Sequence, residues 1–262
     1  MKIMIFDTET SSLDTERGFI QEIAWAIYDV ESRRLLKSIS SLVRWNMQYE
    51  VDAGAFAATG LTRDFCEAHG YRASEVFHEF LGDLKQVDAI CGHNIIDFDV
   101  LILESNIKRC LFGYSTELRE KLKIDTMYDL PFKETPASMK LRYLAFDHGY
   151  SLTNAHQAMA DVFACAHVFF CYKTADVLPI AMTDLVTING YTQYLDEAGR
   201  NAFYKEKFRW NRLNKRWEKR CRAFYIKDHQ LELGSHQLFI DETLITPEPE
   251  NTVASANEEI PF

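Results

Sequence analysis

The 262-residue chain contains no Cys-x-x-Cys pair; its six cysteines, Cys66, Cys91, Cys110, Cys165, Cys171 and Cys221, are scattered. That scatter argues against a zinc site or a disulfide framework and fits a reducing cytoplasm. No apolar run approaches the ~20 residues that a membrane span needs, so no membrane partner is expected. The N-terminus enters a strand-like run at once, so no signal peptide is expected. No internal repeat is present. Positive charge is also in deficit, with a net charge of −10. The deficit is uneven. Residues 200–227 carry eleven lysines and arginines against Glu206 and Glu218, a local +9, which leaves −19 for the remainder. An acidic body with one basic patch implies a partner of one sign at one place, and nucleic acid is the first candidate.

The pattern along the chain alternates. Residues 2–6, 20–30 and 34–43 read as strands, the last two paired through a polar turn at 31–33. Residues 74–84 read as a helix, with Val76, Phe77, Phe80, Leu81 and Leu84 on one face and Ser74 as its N-cap. Residues 87–91 and 123–126 are short strands, and 98–110, 139–148 and 159–173 are helical. Three strands followed by alternating helix and strand predict an α/β fold, a mixed sheet covered by helices. The spacing divides the chain into a domain over 1–178, a small basic module over 179–245 and a disordered acidic tail over 246–262.

The first strand delivers two acids. In FDTETSSL, Asp7 and Glu9 stand at i and i+2, and strand side chains alternate, so both point to one face. Two like charges so close repel, and a cation between them would relieve the repulsion. The plain alternative is a strand end with two solvated acids. Further acids occur in CGHNIIDFDVLIL, with Asp97 and Asp99, and in HQAMAD, with His156 and Asp161. Asp125 in KIDT is a weaker marker at another strand end. Each is ambiguous alone: Asp99 could be an acid at a helix N-terminus, and His156 a surface histidine.

In the order D-x-E, N…F-D, H-x-x-x-x-D, the chain resembles the DEDD-type 3′–5′ exonucleases, in the branch with His in the last motif. That family has an RNase H-like fold and includes proofreading subunits of bacterial replicases and oligoribonuclease. FDTETSSL matches the first motif, GHNIIDFDVLIL the second and HQAMADVFACAHVF the third, and Thr59–Gly60–Leu61–Thr62 also fits. The resemblance covers about residues 1–175. It implies that Asp7, Glu9, Asp99 and Asp161 hold two divalent cations, Mg2+ or Mn2+, about 4 Å apart. It further implies His156 as the general base, an imidazole's ordinary pKa of ~6.5 suiting that role. Thr8, Leu13 and Asn94 are then candidate substrate contacts, Leu13 wedging against the terminal base. Asp97 rivals Asp99 as ligand. Residues two apart on a helix do not share a face, and Asp99 is preferred. The chain has Ser11–Ser12 where the family often has Thr-Gly.

The module reads as a hairpin around Asn214–Lys215 with a short helix before it. In KFRWNRLNKRWEKRCRAFY, aromatic and basic residues interleave, and Arg209, Trp210, Arg216 and Trp217 are candidate contacts to a single strand. The alternative is a small unit whose tryptophans form its own core. Residues 257–262, NEEIPF, resemble the acidic C-terminal tip of bacterial single-stranded-DNA-binding proteins. That resemblance implies Phe262 as a docking point for proteins that recognise such a tip. The expected function is a 3′–5′ exonuclease on single-stranded DNA in a bacterial or bacteriophage-infected cytoplasm. The alternatives are an RNA-trimming exoribonuclease, a catalytically silent nucleic-acid-binding adaptor or a small-molecule phosphodiesterase.

Overall fold

A computed structural model describes residues 1–111, 117–134, 136–153, 156–190 and 197–226, and the backbone of 238–240 and 243–244. The tail over 246–262, with Phe262, lies outside the described residues. The chain divides into two units, Met1–Asp184 and Leu185–Phe262. The division falls later than the sequence spacing suggests, because a helix from Thr174 to Ala181 still buries Val177 and Ala181 in the core of the first unit.

The first unit begins with three antiparallel strands, β1 (Lys2–Thr10), β2 (Ile20–Asp29) and β3 (Arg34–Arg44). Helices α1 (Ala53–Thr59) and α2 (Arg63–His69) follow, then a two-residue strand β4 (Tyr71–Arg72) and helix α3 (Ala73–Leu84). The chain continues through β5 (Ala89–Gly92), α4 (Asp99–Leu111), α5 (Glu117–Glu120), β6 (Leu122–Asp125), α6 (Leu141–Asp147), α7 (Ala158–Phe170) and α8 (Thr174–Ala181). The sheet order is β4-β3-β2-β1-β5-β6, with β5 parallel to both β1 and β6. This is the mixed, helix-covered sheet that the sequence predicts.

Residues 3–6 of β1 and 23–28 of β2 are apolar without interruption because both faces of the sheet are covered there. Ile3 and Ile5 of β1, with Ala24 and Ala26 of β2, pack under α6, α7 and α8. Met4 and Phe6, with Ile23 and Trp25, pack under α3 and α4. Phe80 of α3 meets both Phe6 and Trp25 edge to face, with ring centroids 5.5 and 5.4 Å apart. The indole N–H of Trp25 reaches out of this layer to the Asp83 carboxylate at 2.8 Å, so no buried donor is left unpaired there.

Some boundaries differ from expectation. β1 runs four residues past Phe6, so Asp7 and Glu9 stand inside the strand. Ser74 is not the N-cap of α3. The helix starts at Ala73, directly after β4 pairs in parallel with β3, and Arg72 occupies the cap position without a side-chain bond. Helices α1 and α2 had no clear apolar period. They are set instead by the Thr59–Gly60–Leu61–Thr62 corner: Gly60 takes φ 70°, and the Thr62 hydroxyl accepts the Phe65 amide at 3.1 Å.

In the second unit the hairpin is part of a larger sheet than expected. β7 (Leu185–Gly190), helix α9 (Glu197–Lys205), β8 (Arg209–Asn211), β9 (Arg216–Arg222), β10 (Leu238–Ile240) and β11 (Thr243–Leu244) give the order β11-β10-β7-β9-β8. Its core is Ile188, Phe203, Phe208, Trp217 and Cys221.

Gly92 ends β5 against β1 with no room for a side chain: an added Cβ would lie 2.8 Å from the Phe6 carbonyl oxygen and collide with the Ile95 side chain. Gly92→Ala should therefore destabilise the first unit by about 2 kcal/mol, the usual cost of overpacking. Urea unfolding followed by Trp25 emission checks this, and an unchanged midpoint would refute the close approach.

Candidate active site

Asp7 and Glu9 share the parity of Ile3 and Ile5, so they emerge on the sheet face covered by α7. A register shift between Glu9 and Thr10 ends the regular pairing with β2 just beyond them. Asp161 lies in the first turn of α7 on that face, buried, and its Oδ2 accepts the backbone N–H of His156 at 3.0 Å. His156 is exposed and holds φ 67°, a left-handed conformation uncommon for a residue with a side chain. That turn folds the chain back over the acids. Among the described residues, Glu9, His156 and Asp161 each bring one ligand atom within 4.8 Å of the others.

Asp99 enters from α4. It is the first residue of that helix and buried, and its Oδ1 accepts both the Thr8 hydroxyl at 2.6 Å and the Thr8 amide at 3.1 Å. Asp97 turns elsewhere and accepts the Tyr128 hydroxyl at 2.7 Å. The fold thus joins Asp99 to β1 beside Asp7, and leaves Asp97 to brace Tyr128. Thr8, expected to touch substrate, instead spends its hydroxyl and its amide on Asp99.

The electrostatics reflect crowding. Burial pushes Asp7 well above the ordinary carboxylate range, and Asp99, Glu9 and Asp161 add to the shift. Burial lifts Glu9 to about 8, helped by Asp161 and by Glu22, its partner across β2. Burial also raises Asp99, to about 7, against the two Thr8 hydrogen bonds that favour its anion. Asp161 is raised by burial too. Buried carboxylates crowded together are a hard-oxygen donor set of the kind that Mg2+ and Mn2+ prefer. Asp7, Glu9, Asp99 and Asp161 therefore fit divalent metal.

Several positions that sequence reasoning passed over shape this site. The Asp125 carboxylate, buried and raised to about 7 by that burial, accepts the amides of Asn94 at 2.7 Å, Ile96 at 3.1 Å and Met127 at 2.9 Å. It holds the loop that leads from β5 into Asp99, and Asn94, at φ 63°, bends within that loop. The backbone N–H of Asn94 is the one held by Asp125, and its side chain, expected to meet substrate, takes no part in that bond. The strand-end signal KIDT marked Asp125, but not what it grips. Leu13 is 86% exposed on a loop fastened from α4. Asn106 Nδ2 and Arg109 Nη1 each donate to the Gly18 carbonyl at 3.0 Å, and the Arg109 guanidinium lies 4.1 Å from the centre of the Phe19 ring. Nothing in the local sequence signals that fastening.

In the second unit, Arg209 is exposed and Trp210 partly so, whereas Arg216 is ion-paired with Glu218 at 2.7 Å. Trp217, at 4% exposure, is buried against Phe203 and Tyr204. Its expected stacking on a base is therefore corrected: it is core.

Residues 4–169 match the RNase_T family model, described as Exonuclease. The chain is similar to the 3′–5′ exonuclease DinG of Staphylococcus aureus, 26% identical over 179 residues that cover 67% of this chain and 19% of that protein. Among solved structures it is similar to E. coli exonuclease I in complex with a dT13 oligonucleotide, with TM-score 0.59 and 19% identity over 73% of this chain and 48% of that one. An ExoI/SSB-Ct complex matches at TM-score 0.57 and 16% identity, again over 73% and 48%. The chain thus spans about half of the solved neighbours and about a fifth of the curated relatives.

Raised carboxylate pKa values set a pH dependence for the metal-free protein. The folded state keeps protons that the unfolded state gives up above about pH 4, so stability falls as pH rises through about 7 to 8, where Asp99, Asp125 and Glu9 ionise. In EDTA the melting temperature should drop between pH 5.5 and 8.5. Added Mn2+ should restore it at pH 8.5 and change it little at pH 5.5. A flat profile in EDTA would overturn the crowded-acid account.

Proposed function

The chain belongs to the RNase_T exonuclease family, and from that membership we propose that it is a 3′–5′ exonuclease acting on single-stranded DNA. The observation that carries the reading is the convergence of Asp7, Glu9, Asp99 and Asp161, all with raised pKa, beside His156.

The family implies divalent cations, and the donor set favours two Mg2+ or Mn2+ ions held by Asp7, Glu9, Asp99 and Asp161. When bound, they neutralise the scissile phosphate and acidify the attacking water. His156 takes the proton of that water at a ring nitrogen, from a position fixed by the bond between its amide and Asp161. The exposure of its side chain suits a base that meets its water only when substrate is present. Asp99 is held in line by Thr8, and the loop before it by Asp125. Leu13, on its fastened loop, packs against the terminal base. In the second unit, the exposed Arg209 and Trp210 contact single-stranded nucleic acid. The preference for DNA is supported by the oligonucleotides seen with exonuclease I. All six cysteines are free, which suits a cytoplasmic setting.

The test is an end-labelled ladder assay on single-stranded and duplex DNA and RNA, with Mg2+, Mn2+ or EDTA. Asp7→Ala, Glu9→Ala, Asp161→Ala and Asp99→Asn should each lose about a thousand-fold in rate, roughly 4 kcal/mol of barrier. Asp97→Asn, whose carboxylate accepts the Tyr128 hydroxyl away from the other acids, should stay within about three-fold of wild type. His156→Ala should lose most of the rate while keeping strand binding. Full activity in Asp99→Asn, or faster trimming of RNA than of DNA, would overturn the assignment concerned.

A protein that recognises the tip of single-stranded-DNA-binding proteins is a further proposed partner, through Phe262. The likeness of residues 257–262 to that tip supports it, as does the ExoI/SSB-Ct complex among the neighbours. Purified exonuclease I should bind a peptide of residues 246–262 and lose about ten-fold in affinity when Phe262 is removed, about the effect of one anchor side chain. Equal binding by both peptides would discard the partner.

A further inference from the structure

The turn between β8 and β9 is braced beyond what a hairpin needs. Asn211 Oδ1 accepts the amides of Leu213 at 2.9 Å and Asn214 at 3.1 Å. Glu218 then gathers three side chains across the hairpin: Asn211 Nδ2 at 2.8 Å, Asn214 Nδ2 at 3.0 Å and Arg216 Nε at 2.7 Å. Lys215 closes the turn at φ 50°. Beneath it, Trp217 anchors the hairpin in the core, and Trp210 leans on Trp217 edge to face at 5.7 Å.

What this brace presents is an apolar tip between cations. Leu213 is 93% exposed and Trp210 40% exposed, while Arg212 and Lys215, the residues on either side of Leu213 and Asn214, are exposed as well. The Glu218 carboxylate beside the turn is occupied by the brace. An isolated exposed leucine is ordinary. A leucine on a rigid turn, flanked by two cations and beside a half-exposed indole, has the two chemistries of a nucleotide chain: an apolar surface for a base and positive charge for a phosphate. Because the turn is already ordered, binding would cost little further entropy.

We propose that this tip is a single-strand contact, in which Leu213 and the exposed edge of Trp210 pack on bases while Arg212 and Lys215 take phosphates. It deepens the exonuclease reading and rests on it only for the class of substrate. Sequence alone pointed to Arg209, Trp210, Arg216 and Trp217; Arg216 stands in the brace and Trp217 in the core, while Trp210 stays at the surface beside Leu213, Arg212 and Lys215.

The test measures binding of the full chain to a fluorescent dT12 single strand and to a 12-base-pair duplex, in EDTA so that no cleavage occurs. Leu213→Ala should weaken single-strand binding about five-fold, leave the salt dependence unchanged and leave duplex binding as it was. Arg212→Ser with Lys215→Ser should lower the salt slope on the single strand by about 1.4, roughly 0.7 for each phosphate contact. Leu213→Trp should tighten single-strand binding, which a variant that merely misfolded would not do. Single-strand affinity within two-fold of wild type in Leu213→Ala, or equal losses on single strand and duplex, would overturn the base contact. So would a tip that binds a protein instead, since both variants would then keep wild-type affinity for DNA. Wild-type protein that binds the single strand in EDTA but leaves it uncut when Mg2+ or Mn2+ is then supplied would count against the exonuclease reading and leave the tip contact standing.

Discussion

Four carboxylates that repel one another must be held together in a buried place, and much of the first unit serves that constraint. β1 runs through the middle of the sheet with both faces covered, so its backbone has little freedom to let Asp7 and Glu9 drift apart. Asp161 comes from the helix above one face, and Asp99 from a helix whose start is tied to Thr8. The rigidity that hydrophobic packing gives to β1 and β2 is what allows like charges to be stored where water cannot separate them. The left-handed turn at His156 belongs to the same arrangement, because the Asp161 carboxylate holds its amide.

The second unit solves a different problem. A small sheet has to bury something, and it buries Phe203, Phe208 and Trp217. Its aromatic content is therefore divided: part makes the core, and part is left at the surface among arginines and lysines. The Glu218 brace marks the division, since it engages polar groups of Asn211, Asn214 and Arg216 within the hairpin itself.

Much of this was legible in the sequence, and the reasons differ by element. The three first strands and helices α3, α4 and α7 carry strong apolar patterns, and patterns of that kind follow directly from which faces are covered. The acids of β1 could be placed on one face by alternation alone. The preference for Asp99 over Asp97 agrees with the Thr8 and Tyr128 contacts, though helix geometry could only say that the two do not share a face. Asp125, Asn106 and Arg109 were opaque because their partners stand far along the chain, 29 to 31 residues away for Asp125 and 88 to 93 for the other two. Thr8 was opaque for a similar reason: its hydroxyl meets a residue 91 positions on. Short helices α1 and α2, set by a glycine corner and a threonine cap, have too few turns to show a period. The number of tryptophans was visible, but which of them is core depends on the pairing of Trp210 with Trp217.

The two borders of the large sheet are short, β4 with two residues and β6 with four. Between them lie the four-residue β5 and strands of nine to eleven residues, β1, β2 and β3, of which β2 is mostly apolar. A long apolar border would offer a row of open amides and carbonyls to any neighbouring copy, and sheets would grow from molecule to molecule. Among the described residues β4 pairs only with Val43 and Arg44, so the rest of β3 is itself a border, and Arg34, Lys37, Ser38 and Ser40 along it disfavour pairing with a neighbouring copy. That border is guarded against fibrous self-association by its side chains.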